Sequence, residues 1–275
     1  MTRADAHIHL FAGGYPGRYG RSPAGTDELA AYEDIRRVHG IDQALVIGYE
    51  GGAEFVGNND HLATLAGRHA WIRPVAYVPP TGPATLDDLH LRREQGFVGL
   101  SAYLPGPVEA AAVSAWSPGS IDQLNRDAAI LSLNATPAAT AVLAGALAAL
   151  DGCTVLFSHL GLPGPQATPP TPAEAAELLE PLLALAGLPH VGVKVSGLYA
   201  ISQPAHAYPH TAAVPFLDLL LDRFGPTRLY WGSDFAPSLD VVSFAQTLDV
   251  AALDRLTQSE RDAVFGGNLQ RILPS

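Results

Sequence analysis

Short apolar runs rich in β-branched and aromatic residues recur along the chain at 4–11, 43–49, 71–79, 97–104, 129–136, 153–160, 190–199 and 228–235. Each has the length of a strand, and the segments between them carry apolar positions at helical spacing. Strand alternating with helix predicts a parallel sheet, because parallel neighbours need a crossover connection. Eight such units predict a single (β/α)8 TIM barrel over residues 1–275. Capping signals support the division. Thr136-Pro137 reads as the N-cap and first residue of a helix closed by Gly152, Thr171 to Glu174 and Thr257 to Glu260 have capping-box spacing, and Gly40 and Gly96 follow helical patterns as C-terminal glycines do.

Three irregular stretches, Ala12 to Gly25, Gly161 to Pro170 and Tyr199 to His210, follow the first, sixth and seventh runs. In a barrel that places them at the C-terminal face of the strands, where active sites of this architecture are built. No internal repeat and no shift in composition divides the chain further.

Composition acts mainly by exclusion. The chain is 48% hydrophobic and 16% charged, with no apolar run long enough for a membrane span, and polar residues interrupt any secretory signal at the N-terminus. A cytoplasmic protein is expected. A net charge of −11 argues against nucleic acid or an anionic membrane as partner, since either needs a basic surface. Cys153 is the only cysteine, so no internal disulfide and no cysteine-rich zinc site can form; within the run CTVLF it reads as a buried structural thiol. Whether the chain acts as a monomer or a homo-oligomer is not written in the pattern.

Candidate chemistry gathers at strand ends. Asp5, His7 and His9 alternate in the first run, which puts their side chains on one face. Two imidazoles there offer half of a metal site or a pair of hydrogen-bonding groups for a substrate oxygen. His159 closes the sixth run and Asp234 the eighth, and a barrel brings these separate strand ends to one mouth. Lys194, the only lysine, shares a face of the seventh run with Ser196; if that face is inward, its ammonium needs an anionic partner. Arg73 and Arg18 could hold a substrate carboxylate. Asn134 in the fifth run is a further substrate contact, and Tyr15, Tyr19, Tyr49, Tyr103 and Tyr199 place phenols near strand ends, with Tyr49 and Tyr103 the leading candidates.

The segments DAHIHLF, FSHLG, VKVSGL, YWGSDF and GGNLQRIL, spread from residue 5 to about residue 272, resemble the amidohydrolase-related barrels of the amidohydrolase superfamily. The short-barrel branch they are similar to includes 2-pyrone-4,6-dicarboxylate lactonase, 4-sulfomuconolactone hydrolase and sugar lactonases. The resemblance implies hydrolysis of a small lactone or related cyclic ester, with Asp234 as general base and His7, His9 and His159 as its partners. It also implies that these four residues hold one divalent metal, zinc before others, or that the imidazoles polarise the carbonyl with no metal. The metal-rich members carry a bridging lysine or glutamate in strand four and a histidine in strand five; here those strands offer Ser101, Tyr103 and Asn134, so two metals are not expected. The substrate expected is a small molecule, anionic or polyhydroxylated. Two other functions compete: a metal-dependent non-oxidative decarboxylase of an aromatic or unsaturated acid, and a ligand-binding barrel without catalysis.

Overall fold

The computed structural model describes residues 2–82 and 84–274. Eight strands, β1 (Arg3–Ile8), β2 (Ile41–Ile47), β3 (Ile72–Tyr77), β4 (Gly99–Leu104), β5 (Ile130–Ala135), β6 (Thr154–Phe157), β7 (Val191–Val195) and β8 (Leu229–Trp231), lie parallel in sequence order. The ring closes between its ends. The Asp234 amide donates to the His7 carbonyl at 2.8 Å and the His9 amide to the Phe235 carbonyl at 2.5 Å, around a parallel bridge between Ile8 and Phe235. This is the single (β/α)8 barrel expected.

Helices α1 (Glu28–His39), α2 (Asn58–Ala66), α3 (Leu86–Glu94), α4 (Pro107–Ser114), α5 (Pro118–Arg126), α6 (Pro137–Leu147), α7 (Pro172–Leu183), α8 (Leu198–Ile201) and α9 (Val214–Phe224) follow the strands. Thr136 and Thr171 cap α6 and α7 as expected, the latter with the full reciprocal box. Gly40 ends α1 in the left-handed conformation, and Gly96 adopts it two residues beyond α3. The expectation that Gly152 closes α6 is not met: the helix ends at Leu147, and Gly152 lies in the turn before β6, where a Cβ would strike Asn125. No helix among the described residues is long and apolar enough to cross a membrane.

Alternation along the strands sorts two cores. Val46, Leu131, Leu133, Val155, Phe157, Val193 and Val195 face the helices, whereas Leu45, Ile47, Val75, Ile130, Leu156 and Tyr230 fill the barrel with Ala4 and Ala6. Each fully buried aliphatic side chain contributes roughly 1.5–3 kcal/mol relative to exposure. Toward the strands' C-terminal ends the inward positions turn polar. Two residues above the inward Ile130 comes Ser132, which takes a 2.7 Å hydrogen bond from Lys194 across the interior. The barrel therefore has an apolar floor and a polar mouth.

Strand β1 breaks the alternation. Its partners run from Asp5 opposite Ala44 to Ile8 opposite Val46, three steps against two, so one extra residue is accommodated between them. The expectation that Asp5, His7 and His9 share a face is thereby corrected. Asp5 turns toward the helix layer, where Tyr32 of α1 donates to its Oδ2 at 3.0 Å, while His7 enters the interior.

Candidate active site

All four residues expected to form the site meet at the mouth, each buried. His7 is within strand β1, but His9, His159 and Asp234 lie just past the ends of β1, β6 and β8. The expectation that Asp234 sits inside a strand is corrected: β8 stops at Trp231, and Asp234 occupies a turn with φ 58°. An aspartate tolerates this left-handed backbone better than most residues. The turn is fastened by Asp5, whose Oδ1 accepts the Ser233 amide at 2.9 Å and the His7 amide at 3.1 Å. One buried carboxylate thus ties the first histidine to the segment carrying the catalytic candidate.

Gly232 is required by closeness. A Cβ there would come within 2.7 Å of the His7 Cβ. Gly197, which follows β7 with φ 62°, is held to glycine both by that backbone and by the His159 ring, whose Nδ1 would lie 2.2 Å from an added Cβ.

Asp234 is the hub. Its Oδ1 lies 3.6 Å from His7 Nε2 and 3.8 Å from His9 Nε2, and its Oδ2 accepts a 2.6 Å hydrogen bond from the Tyr199 hydroxyl and stands 4.0 Å from His159 Nδ1. Burial pushes the Asp234 carboxyl up to about 6, against the pull of His9, Tyr199 and Lys194. Burial pushes His9 and His159 down to about 4 and His7 well below its ordinary value. Near neutrality the site therefore holds one carboxylate facing three uncharged imidazoles.

Lys194 is inward and fully buried. Burial lowers its ammonium to about 7, opposed by the carboxylates of Asp234 and Asp5. Its Nζ meets Ser132 Oγ at 2.7 Å and His7 Nδ1 at 3.2 Å, so its described hydrogen-bond partners are protein groups below the histidines. Ser196 likewise serves the protein: its hydroxyl is 3.1 Å from His159 Nδ1 and accepts the His159 amide at 3.3 Å. Tyr49 and Tyr103 do reach the mouth, packed with Tyr77 into a cluster with ring centroids 4.6–6.2 Å apart. Asn134 is half-buried on the inner face of β5, beside Tyr103 in register. Arg18 lies on the loop after β1, in a cleft of about 540 Å³ shared with Tyr15, Tyr199, Gln203 and Asp240.

Arg73 is the exception. It is the second residue of β3, at the strand's start, and lines a cavity of about 390 Å³ with Leu89, Phe97, Ile272 and Leu273 at the opposite end of the barrel. Its expected contact with substrate is corrected, because the barrel length separates it from Asp234. Two tyrosines were under-read from the sequence. Tyr77 is marked by its place two residues after the inward Val75, and Tyr199 by an expected strand that in fact ends at Val195, so that α8 swings its phenol back over Asp234. His210, on the loop after β7, is buried behind Tyr199 beside Gln246 and Thr247. Cys153 is buried as expected, and burial pushes its thiol up to about 12.

The metal expectation is met in part. His7, His9 and Asp234 place one ligand atom each within 4.8 Å of one another, so residue types and spacing suit a divalent ion. His159, expected as a fourth ligand, stands outside this group, its Nδ1 engaged with Ser196. His9 is prepared for a metal, because its Nδ1–H donates to the Ile47 carbonyl at 3.0 Å and leaves Nε2 bare. His7 presents Nε2 toward Asp234 as well, but its Nδ1 faces the Lys194 amine at 3.2 Å and not a carbonyl. Residue types and spacing suit the ion, and His7 is the position whose neighbour differs.

Known proteins agree with this architecture. A 32% identity over 127 residues links the chain to L-fucono-1,5-lactonase of Burkholderia multivorans (strain ATCC 17616 / 249), covering 44% of this chain and 43% of that protein. The match thus spans less than half of that relative. An amidohydrolase from Burkholderia multivorans, solved with bound HEPES, superimposes over 100% of both chains with TM-score 0.81 at 22% identity, and its zinc-bound crystal form gives 0.79. A probable 2-pyrone-4,6-dicarboxylic acid hydrolase from Acinetobacter baumannii with citric acid bound gives 0.72 at 17% identity over 99% of each chain. At those identities the solved structures speak for the fold. The family model described as Amidohydrolase matches residues 4–274, nearly the whole chain, and with the buried histidine and aspartate cluster at the barrel mouth this shows that the chain belongs to the amidohydrolase family of enzymes.

Proposed function

We propose that the protein hydrolyses a small lactone or related cyclic ester, with Asp234 as general base. The observation that carries this reading is the arrangement of Asp234 itself. Its Oδ2 is occupied by Tyr199 while Oδ1 faces His7 and His9 in a buried pocket of uncharged imidazoles. A carboxylate held in this way can take a proton from a water as that water attacks the ester carbonyl. The new bond joins the water oxygen to the carbonyl carbon, the ring carbon–oxygen bond breaks, and the proton held by Asp234 passes to the departing ring oxygen. An imidazole N–H directed at the carbonyl oxygen would stabilise its developing negative charge, and such a bond is stronger in a buried site. Zinc, when bound in enzymes of this type, supplies Lewis-acid polarisation and a more acidic water; every step above is assigned to the chain's own residues.

The mouth favours a hydroxyl-rich ring over a dicarboxylate. It offers the phenols of Tyr49, Tyr77 and Tyr103 and the amide of Asn134, while Lys194 is engaged below and Arg18 shares its cleft with Asp240. The sugar lactone named for the Burkholderia multivorans relative has that character.

The test is a panel of neutral sugar lactones, dicarboxylate lactones and aromatic acids, followed by acid release and by CO2 evolution. Ring opening of neutral lactones is expected, and Asp234→Asn should lower kcat by about 10³-fold or more. Evolution of CO2 without ring opening would replace the reading with a decarboxylase, and turnover unchanged in Asp234→Asn would remove Asp234 from the chemistry.

A further inference from the structure

His7 and His9, two residues apart at one mouth, are held by opposite kinds of neighbour. His9 Nδ1 faces a carbonyl, that of Ile47 at 3.0 Å, and a carbonyl only accepts; the ring proton is therefore on Nδ1 and Nε2 is bare. His7 Nδ1 faces the Lys194 amine at 3.2 Å, with Ser158 Oγ at 3.4 Å. While it carries its proton, Lys194 has three donors and no acceptor, and one of the three is already directed to Ser132 Oγ at 2.7 Å. Donation from Lys194 requires a bare Nδ1, and a neutral imidazole with a bare Nδ1 carries its proton on Nε2. That Nε2 is buried and has no hydrogen-bond partner among the described residues, while Asp234 Oδ1 stands 3.6 Å away. A buried N–H without a partner is costly, and it is free to donate to an oxygen that enters the site.

We propose that Lys194 is a positioning residue that fixes His7 as an Nε2–H donor, opposite in tautomer to His9, and that this arrangement disfavours zinc at the His7, His9 and Asp234 cluster. A metal-bound imidazole needs a bare ligating nitrogen and passes its other N–H to an acceptor. His9 satisfies both conditions and His7, facing a protonated Lys194, neither; that protonated amine also repels a divalent ion. The donor on His7 and the lone pair on His9 give the pair two distinct tasks, donating to an oxyanion and accepting a hydrogen bond from water or a substrate hydroxyl, that their spacing alone does not distinguish, while Asp234 remains the base. This use of the pair rests on the hydrolase reading; the tautomers and the metal preference do not, because both are measured without substrate.

Two measurements test it. Long-range 1H–15N correlation spectra of the histidine-labelled protein, with the His7 signals assigned from a His7→Asn sample, should show His7 protonated at Nε2 and bare at Nδ1, and His9 the reverse. Calorimetric titration with zinc chloride alone should show weak binding to the wild type, and one ion per chain bound at least about tenfold more tightly by Lys194→Met, in which the amine is gone. His7 protonated at Nδ1 in the wild type would overturn the proposal, as would equal zinc affinity in the two proteins. The wild-type spectrum needs no variant, so a Lys194→Met protein that failed to fold would still leave the tautomer claim open to refutation. Failure of every lactone to react would dismiss the hydrolase reading and leave both of these results standing.

Discussion

At the scale of single residues, the site holds one carboxylate among imidazoles that burial has made neutral. Asp234 is pushed up to about 6, so it accepts protons above that pH and is blocked below it. For a general base this fixes the sign of the pH dependence: kcat/KM is expected to be level toward neutrality on this limb and to fall about tenfold per pH unit below about 6. His9 and His159, held down at about 4, add no charge in that window. Rates measured across acidic pH with a neutral lactone check this, and a limb near the ordinary carboxylate value would show Asp234 to be less buried than described. Asp5 is also raised to about 6 by burial, but its oxygens are committed to Ser233, His7 and Tyr32, which suits a brace and not a base.

At the scale of elements, the decisive feature is the seam between β8 and β1. Strand β8 is three residues long, and its continuation is held by backbone bonds to His7 and His9 and by the Asp5 carboxylate. Gly232 lets the two backbones approach. Gly232→Ala should therefore force the seam apart, with a loss of about 1–3 kcal/mol in denaturant unfolding and a drop in kcat larger than the change in KM. A variant with wild-type stability and turnover would mean that the seam yields without moving Asp234. The same seam explains why β8, read from sequence as running to 235, ends at Trp231: beyond it the chain turns to present Asp234 instead of pairing on.

At the scale of the whole molecule, the barrel separates stability from chemistry along its axis. The strand starts close over apolar residues and a cavity edged by Arg73, Arg92, Arg93 and Asp127, while the strand ends carry the histidines, Asp234 and the tyrosines. Arg73→Met is accordingly expected to leave kcat/KM within about twofold of wild type, whereas the changes at the mouth reduce it by orders of magnitude. Steady-state kinetics on the purified variant decide this, and a large loss would mean that Arg73 influences the mouth through the length of β3.

The number of strands, their order and the helix caps at Thr136, Thr171 and Gly40 were legible in the sequence, because each depends on local periodicity or on backbone groups a few residues away. The four site residues were legible for a related reason: in a parallel barrel every strand end reaches the same mouth, so position along a run predicts convergence. What those residues face was not legible. The bulge in β1 turned Asp5 out of the site, the end of β7 at Val195 brought Tyr199 onto Asp234, and the inward face of β7 set Lys194 against His7. Arg73 and Lys194 looked equivalent as charged residues in strands, and only their height in the barrel separated a residue of the floor from one beneath the histidines. Sequence by itself determined which groups reach the mouth, because strand periodicity is local; tertiary structure alone decided their partners, protonation and tautomers, because those depend on atoms from strands far apart in the chain and on the burial they create together.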